Sequence, residues 1–189
     1  MKKIIFNCIA VCAISFANAQ ESKGYIGVSI GAAFPGGDLT NTDYNMGTGL
    51  NLGLINAGYR FTENFGLTLN WGSSAFSNTE DNTIVLGLGY FAVGPMVSFP
   101  LNDKIGIDLK PQLAFTAGVI DVDGEKFKTN SSTGLLIGSS INFLLATHWG
   151  LAVNLDYLST KFDELDGVKY ETKDTYSTFN TSLGIQYKF

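Results

Sequence analysis

From Thr175 to its final residue the chain places mainly apolar residues on one parity and mainly polar residues on the other. Phe179, Leu183, Ile185, Tyr187 and Phe189 share one parity, while Asn180, Ser182, Gly184, Gln186 and Lys188 share the other. Successive side chains of a β-strand point to opposite sides, so the pattern predicts a strand with one apolar and one polar face. Chain ends are usually frayed and solvated. Here the last residue is a phenylalanine on the apolar parity, so the end of the chain must be built into a sheet.

The same period returns along the sequence. Ile26, Val28 and Ile30 alternate with glycine and serine, and Phe65, Leu67, Leu69 and Trp71 with Gly66, Thr68 and Asn70. Ile105, Ile107, Leu109, Leu113 and Phe115 alternate with Asp108, Lys110, Gln112 and Thr116. Segments at 135–143 and 151–157 repeat it. Two less regular segments, 47–61 and 83–99, complete a set of eight strands. The stretch "TIVLGLGYFAV" is apolar on both parities, which predicts a bulge or a register change there. Short turns fall at 62–64, 101–104 and 146–148, and long polar stretches at 35–46, 77–82, 121–132 and 161–174. In an up-and-down sheet successive connections lie at opposite ends. The short turns are therefore expected to share one end with both termini, and the long stretches to share the other.

The first residues read differently. "MKK" precedes the apolar run "IIFNCIAVCAISF", and Ala17 and Ala19 supply an A-x-A pattern, so residues 1–19 are predicted to be a secretory signal peptide cleaved after Ala19. The apolar run is too short for a spanning helix. Both cysteines, Cys8 and Cys12, fall within it, so residues 20–189 are expected to form one barrel domain without disulfides. Val11 before Cys12 is not the small residue that a lipid-anchor signal requires. Loss of Lys2 and Lys3 takes the formal charge from -5 to -7.

Eight antiparallel strands remove their exposed edges by closing into a barrel. A lipocalin-like barrel keeps its apolar face inside. A transmembrane barrel turns that face to lipid and encloses the polar one. Four features favour the transmembrane arrangement. The polar parity is mostly Gly, Ser, Thr, Asn and Ala, which suits a narrow eight-stranded lumen. Only 15% of the residues are charged, and no helix pattern follows the last strand. Aromatics gather near strand ends: Tyr59, Phe61, Phe65, Phe99, Trp149, Tyr187 and Phe189 on the short-turn side, Phe34, Phe76, Tyr157 and Tyr176 on the other. They predict two interfacial girdles.

The closing "SLGIQYKF" resembles the C-terminal signal of Gram-negative outer-membrane barrels, polar-x-Gly-x-x-aromatic-x-aromatic, with Ser182, Gly184, Tyr187 and Phe189 in those places. With this motif and eight strands, the mature chain is similar to the small OmpA/OmpX-type barrels, and to the porin-like "outer membrane protein β-barrel domain" proteins common in Bacteroidetes. The resemblance implies recognition by the barrel-assembly machinery and a place in the bacterial outer membrane, among lipid and lipopolysaccharide. It also implies termini in the periplasm and long loops outside.

Five charges fall inside predicted strands: Arg60, Asp108, Lys110, Asp156 and Lys188. A basic side chain facing lipid at mid-depth costs about 2–4 kcal/mol. All five are therefore expected to face the lumen as a stabilising polar network. The long stretches carry twelve acids against five lysines. This acidic rim would repel nucleic acid. It could hold shared divalent cations or meet an extracellular ligand, although "DVDGE" at 121–125 lacks the full spacing of a calcium loop. The single histidine, His148, lies in a short turn, far from where lipid-modifying barrels carry their chemistry. No catalysis, cofactor or metal is expected, and the barrel is expected to be monomeric. Two roles remain: a structural or surface-interaction barrel with a plugged lumen, or a narrow channel for small or hydrophobic solutes. Eight strands leave little room for a continuous pore, which favours the plugged barrel.

Overall fold

The computed structural model describes residues 23–41, 44–81 and 83–189, apart from the side chains of 170–172. The predicted signal peptide lies outside the described residues. The strands are β1 (Gly24–Gly37), β2 (Gly49–Arg60), β3 (Phe65–Ser77), β4 (Ile84–Pro100), β5 (Ile105–Val122), β6 (Glu125–Lys128), β7 (Ser132–Leu144), β8 (Trp149–Leu165) and β9 (Val168–Lys188). All pairings are antiparallel. Tyr25–Gly37 of β1 pairs with Tyr176–Lys188 of β9, which closes the sheet into an eight-stranded barrel. β6 is a short ribbon on the upper part of β5, whose lower part pairs with β7.

The expected inversion of faces holds. Val28, Ile30, Leu183 and Ile185 stand 55–63% exposed on the outer wall, while Ser182 and Gln186 between them are buried. On the outside, Tyr187 and Trp149 mark one level, and Phe34, Tyr157 and Phe179 another. The eight-residue step from Tyr187 to Phe179 covers about 26 Å of strand. With a tilt of about 40° this rises about 20 Å, most of the height of a lipid-facing band of about 25 Å.

The short turns share one geometry. Phe61, Leu101 and Leu145 each donate a backbone N–H, at 2.9 Å, to the carbonyl four residues on: Phe65, Ile105 and Trp149. These turns lie at the same end as Lys23 and Phe189.

The structure differs from the sequence expectation in three places. The stretch 161–174 is not an open loop, because β8 and β9 continue through it to a two-residue turn at Asp166–Gly167. Both residues have positive φ, 51° and 83°, as a type I′ hairpin turn requires. Asp123–Gly124 makes the equivalent turn between β5 and β6, with φ 53° and 90°. The bulge expected in 83–99 is absent, since β4 keeps one register with β3 throughout. It falls in β2 instead, where the pairing with β3 shifts between Gly53 and Ile55. Asn51 and Gly53 face inward before the shift, and Gly58 after it, which is why the parity of 47–61 reads as blurred. Finally, Phe76 and Tyr176 do not join the outer girdle, as they are 1% and 2% exposed inside the barrel.

Leu183 lies midway between the two aromatic levels, so Leu183→Arg should lower the unfolding free energy in lipid vesicles by about 2–4 kcal/mol. Urea titration of the refolded protein measures this, and a loss below about 0.5 kcal/mol would contradict a lipid-facing Leu183.

Candidate functional site

The interior has three levels, each set by which residue types fall on the inward parity. At the long-loop end it is apolar. β4 turns Leu86, Leu88, Tyr90 and Ala92 inward, where they meet Phe76, Leu136, Leu158, Phe162 and Tyr176. The connection after β1 forms a 3-10 turn, Asp38–Thr40, that drops Leu39 fully buried into this cluster. Phe162 and Tyr176 stack edge-on at 5.1 Å, and Tyr44 covers Tyr176 at 5.6 Å. Polar groups pin this cap from above. The Tyr44 hydroxyl donates to Asp174 at 2.8 Å, and the Thr175 backbone N–H donates to Asp38 at 2.6 Å. Burial, followed by hydrogen bonds to Tyr176 and Asp174, pushes the Tyr44 phenol up from its usual range. Outside the cap, Lys173 lies 3.2 Å from Asp163 and holds that carboxyl below its ordinary value.

The middle level is polar. Asn70 donates to Gln112 at 2.9 Å, Asn51 to Ser74 at 3.1 Å, and Asn154 to Ser182 at 3.2 Å. Higher up, beside the cap residues Tyr90 and Tyr176 with which they pair, the Thr116 and Thr160 hydroxyls meet at 2.7 Å. Lys110 and Asp156 lie at the middle level, 2% and 7% exposed. Both pair in register with Gly138, between them on β7. A Cβ on Gly138 would collide with Asp156 Oδ1 and sit 3.4 Å from Lys110 Cε, so this glycine makes room for the two charges.

Toward the short-turn end the polar chain continues into a cavity of about 720 Å³. The buried Asp108 carboxylate accepts from Ser98 at 2.6 Å and Asn142 at 2.7 Å, and Gln186 donates to Asn142 Oδ1 at 2.6 Å. Arg60 and Lys188, both half-buried, line the cavity above Lys23 at its lip.

All five strand charges thus lie on the inward side, split between two levels. Lys110 and Asp156 share the middle, whereas Arg60 and Lys188 open on the cavity, with Asp108 at its base. The polar partners that knit these levels, Ser98, Gln112, Asn142 and Gln186, carry no charge and lie outside the five-residue network that the sequence predicts. Their inward parity was the available signal. The apolar cap also had a signal, because a strand apolar on both parities must bury one of them.

The four residues of the terminal motif occupy the β1–β9 seam and its neighbour. The Ser182 hydroxyl is buried against Asn154, and a Cβ on Gly184 would lie 2.8 Å from the Val28 carbonyl. Tyr187 is outside, packed on Trp149 at 5.4 Å and on His148 at 5.5 Å. Phe189 exchanges two 2.9 Å backbone hydrogen bonds with Gly24 and ends the seam.

A closed barrel with an apolar outer wall, aromatic girdles and a packed interior defines a membrane-spanning β-barrel. The chain belongs to the outer membrane protein β-barrel domain family, whose pattern it matches over residues 4–189, and the family places it in the bacterial outer membrane. Solved structures share the fold at low identity. The Neisserial surface protein A (NspA) is 17% identical with a TM-score of 0.64, covering 89% of this chain and 98% of that one. Ail, the attachment invasion locus protein of Yersinia pestis, is 20% identical with a TM-score of 0.52, covering 88% and 99%. OprG from Pseudomonas aeruginosa is 12% identical with a TM-score of 0.52, covering 89% and 97%. Among curated protein sequences, none matches this chain.

Gly138→Ala should destabilise the barrel by about 1–3 kcal/mol, the usual cost of overpacking. Pairing it with Asp156→Ala should recover much of the loss, because the new methyl group then has space. Urea unfolding of the single and double variants checks this, and an uncoupled pair would remove the close approach from the account.

Proposed function

We infer that this protein is a non-catalytic surface barrel whose lumen does not conduct, with its long connections presented outside the cell and its termini in the periplasm. The observation that carries the reading is the apolar cap. Leu39, Phe76, Leu86, Leu88, Leu136, Leu158, Phe162 and Tyr176 are each 3% exposed or less. A plug of this composition offers an ion no replacement for its hydration shell, so passage is blocked by desolvation as well as by size. The four longer connections share the capped end, and on this orientation the acidic rim meets the medium. Two structural neighbours are a surface protein and an attachment invasion locus protein, and this reading extends a surface role to the present chain.

On this reading the outer wall partners outer-membrane lipid and lipopolysaccharide, and the terminal residues Ser182, Gly184, Tyr187 and Phe189 engage the barrel-assembly machinery. The extended β8–β9 and β5–β6 hairpins, with their I′ turns at Asp166–Gly167 and Asp123–Gly124, supply a rigid surface that could engage an extracellular ligand. The second reading, a narrow channel, is favoured by the cavity of about 720 Å³ at the short-turn end. That cavity stops below the packed levels.

Planar-bilayer recording separates the two. The wild-type protein should give no reproducible single-channel steps, whereas the triple variant Phe76→Ala, Phe162→Ala, Tyr176→Ala should begin to conduct. Steps from the wild type would overturn the plugged barrel and establish the channel.

A further inference from the structure

Between β4 and β5 the ladder of backbone hydrogen bonds is interrupted at mid-height. The strands pair from Ile84–Val122 to Val93–Leu113, and again from Val97–Leu109 to Pro100–Gly106, in one register. The residues passed over are Gly94, Pro95 and Met96 on β4 and Lys110, Pro111 and Gln112 on β5. Pro95 and Pro111 stand opposite each other at the centre of the gap. A residue in an antiparallel ladder turns its N–H and C=O toward the same neighbour. Ser98 gives its N–H to Asn64 at the foot of β3, and Leu101 gives its own to Ile105 of β5. Odd residues of both strands therefore bond across this seam, where Pro95 and Pro111 would exchange two hydrogen bonds. Neither has an N–H to give, so both carbonyls lose their ladder donor. The pair lies midway between Phe91–Phe115 and Phe99–Ile107 on the outer wall. Lipid at that depth offers no replacement.

The lumen side does offer polar groups. Gly94 turns inward, and a Cβ there would collide with the Pro111 carbonyl oxygen, so the glycine keeps that oxygen open to the interior. Over the gap, Asn70 of β3 reaches across β4 and donates to Gln112 Oε1 of β5 at 2.9 Å. Each of these buried amides keeps one atom without a partner, Asn70 Oδ1 and Gln112 Nε2. Exchanging O and N in both amides would again leave one acceptor and one donor. We propose that this is an internal hydration site. Water held by the Pro111 carbonyl, Gln112 Nε2 and Asn70 Oδ1 completes the wall from within. The balance of groups selects water over an ion. Two acceptors and one donor suit a molecule that donates twice and accepts once, and buried waters make about three such bonds. An anion would face two carbonyl oxygens, and a cation would face the amide N–H of Gln112. Lys110 and Asp156, buried at the same level, carry opposite charges and favour neither sign. Neither Pro111, Asn70 nor Gln112 lines the chamber below, so the site is separate from that space.

The test is NMR of the refolded protein in detergent micelles, deuterated on carbon and labelled at nitrogen. The side-chain amide protons of Gln112 should show cross-peaks to water with the sign that marks long residence. Pro95→Val supplies the missing donor to the Pro111 carbonyl. It should weaken those cross-peaks or remove them, and its new amide proton should exchange slowly. Pro100→Val makes the same change at the end of β4 and should leave the cross-peaks unchanged. A high-resolution crystal structure of the wild type should show an ordered water within hydrogen-bond distance of the Pro111 carbonyl and Gln112 Nε2. Heat-modifiable migration in gels reports that each variant is folded. Lack of cross-peaks in the wild type, full intensity in folded Pro95→Val, or a crystal structure with no water at this position would each overturn the site. So would loss of the cross-peaks in Thr68→Val, which would trace them to that hydroxyl beside Gly94. None of these results bears on conduction, so the plugged-barrel reading stands or falls separately.

Discussion

Every backbone N–H and C=O of a wall immersed in hydrocarbon must be paired within the protein, because lipid offers no partner. An open sheet fails this requirement at both edges, and only closure meets it. In this chain closure is the pairing of β1 with β9, thirteen residues long from Tyr25–Lys188 to Gly37–Tyr176. The rest of the structure depends on that seam. It separates inside from outside, turns an alternating pattern into two different solvents, and holds the last residue of the chain against Gly24. A terminal aromatic side chain is therefore part of the wall.

Closure also makes the interior scarce. Eight strands enclose only enough space for their own side chains, so what faces inward determines what the barrel can do. Here the inward residues change character with height. The apolar cap blocks one end by desolvation and packing. The amide and hydroxyl layer beneath it satisfies most of its groups internally and keeps Lys110 and Asp156 beside each other over Gly138. The chamber at the far end is polar, cationic and open. These are different environments along one axis, stacked within a wall of constant outward chemistry. The packed middle therefore separates the ordered hairpins above the cap from the chamber below the network.

Most of the fold was legible because a strand's period is local. Phe179, Leu183, Ile185 and Tyr187 declare the lipid face of β9 with no knowledge of its neighbours, and three similar turns announce three similar hairpins. The differences have separate causes. Phe76 and Tyr176 lie near strand ends, where an aromatic residue serves a girdle or a plug equally well, and only the parity counted through the whole barrel separates the two. Apolar residues on both parities of 83–93 suggest a bulge, whereas β4 simply buries one apolar face in an apolar cap. The real bulge in β2 left only a blurred parity. The stretch 161–174 has the polarity of a loop, yet its Asp-Gly pair is the strongest local signal for a two-residue turn between paired strands.

The sequence by itself determined the number of strands in the barrel wall, their order, the end at which the short turns lie, and the face that meets lipid. These follow from periodicity and turn chemistry, which act over a few residues. Only the tertiary structure decided that the lumen is apolar at one end and cationic at the other, that Leu39 drops into the cap, and that Gln186 keeps a buried oxygen unpaired. Those properties belong to side chains that meet across the barrel from strands far apart in sequence. Which of them meet is fixed by the register and tilt of the closed wall, and no local pattern encodes that.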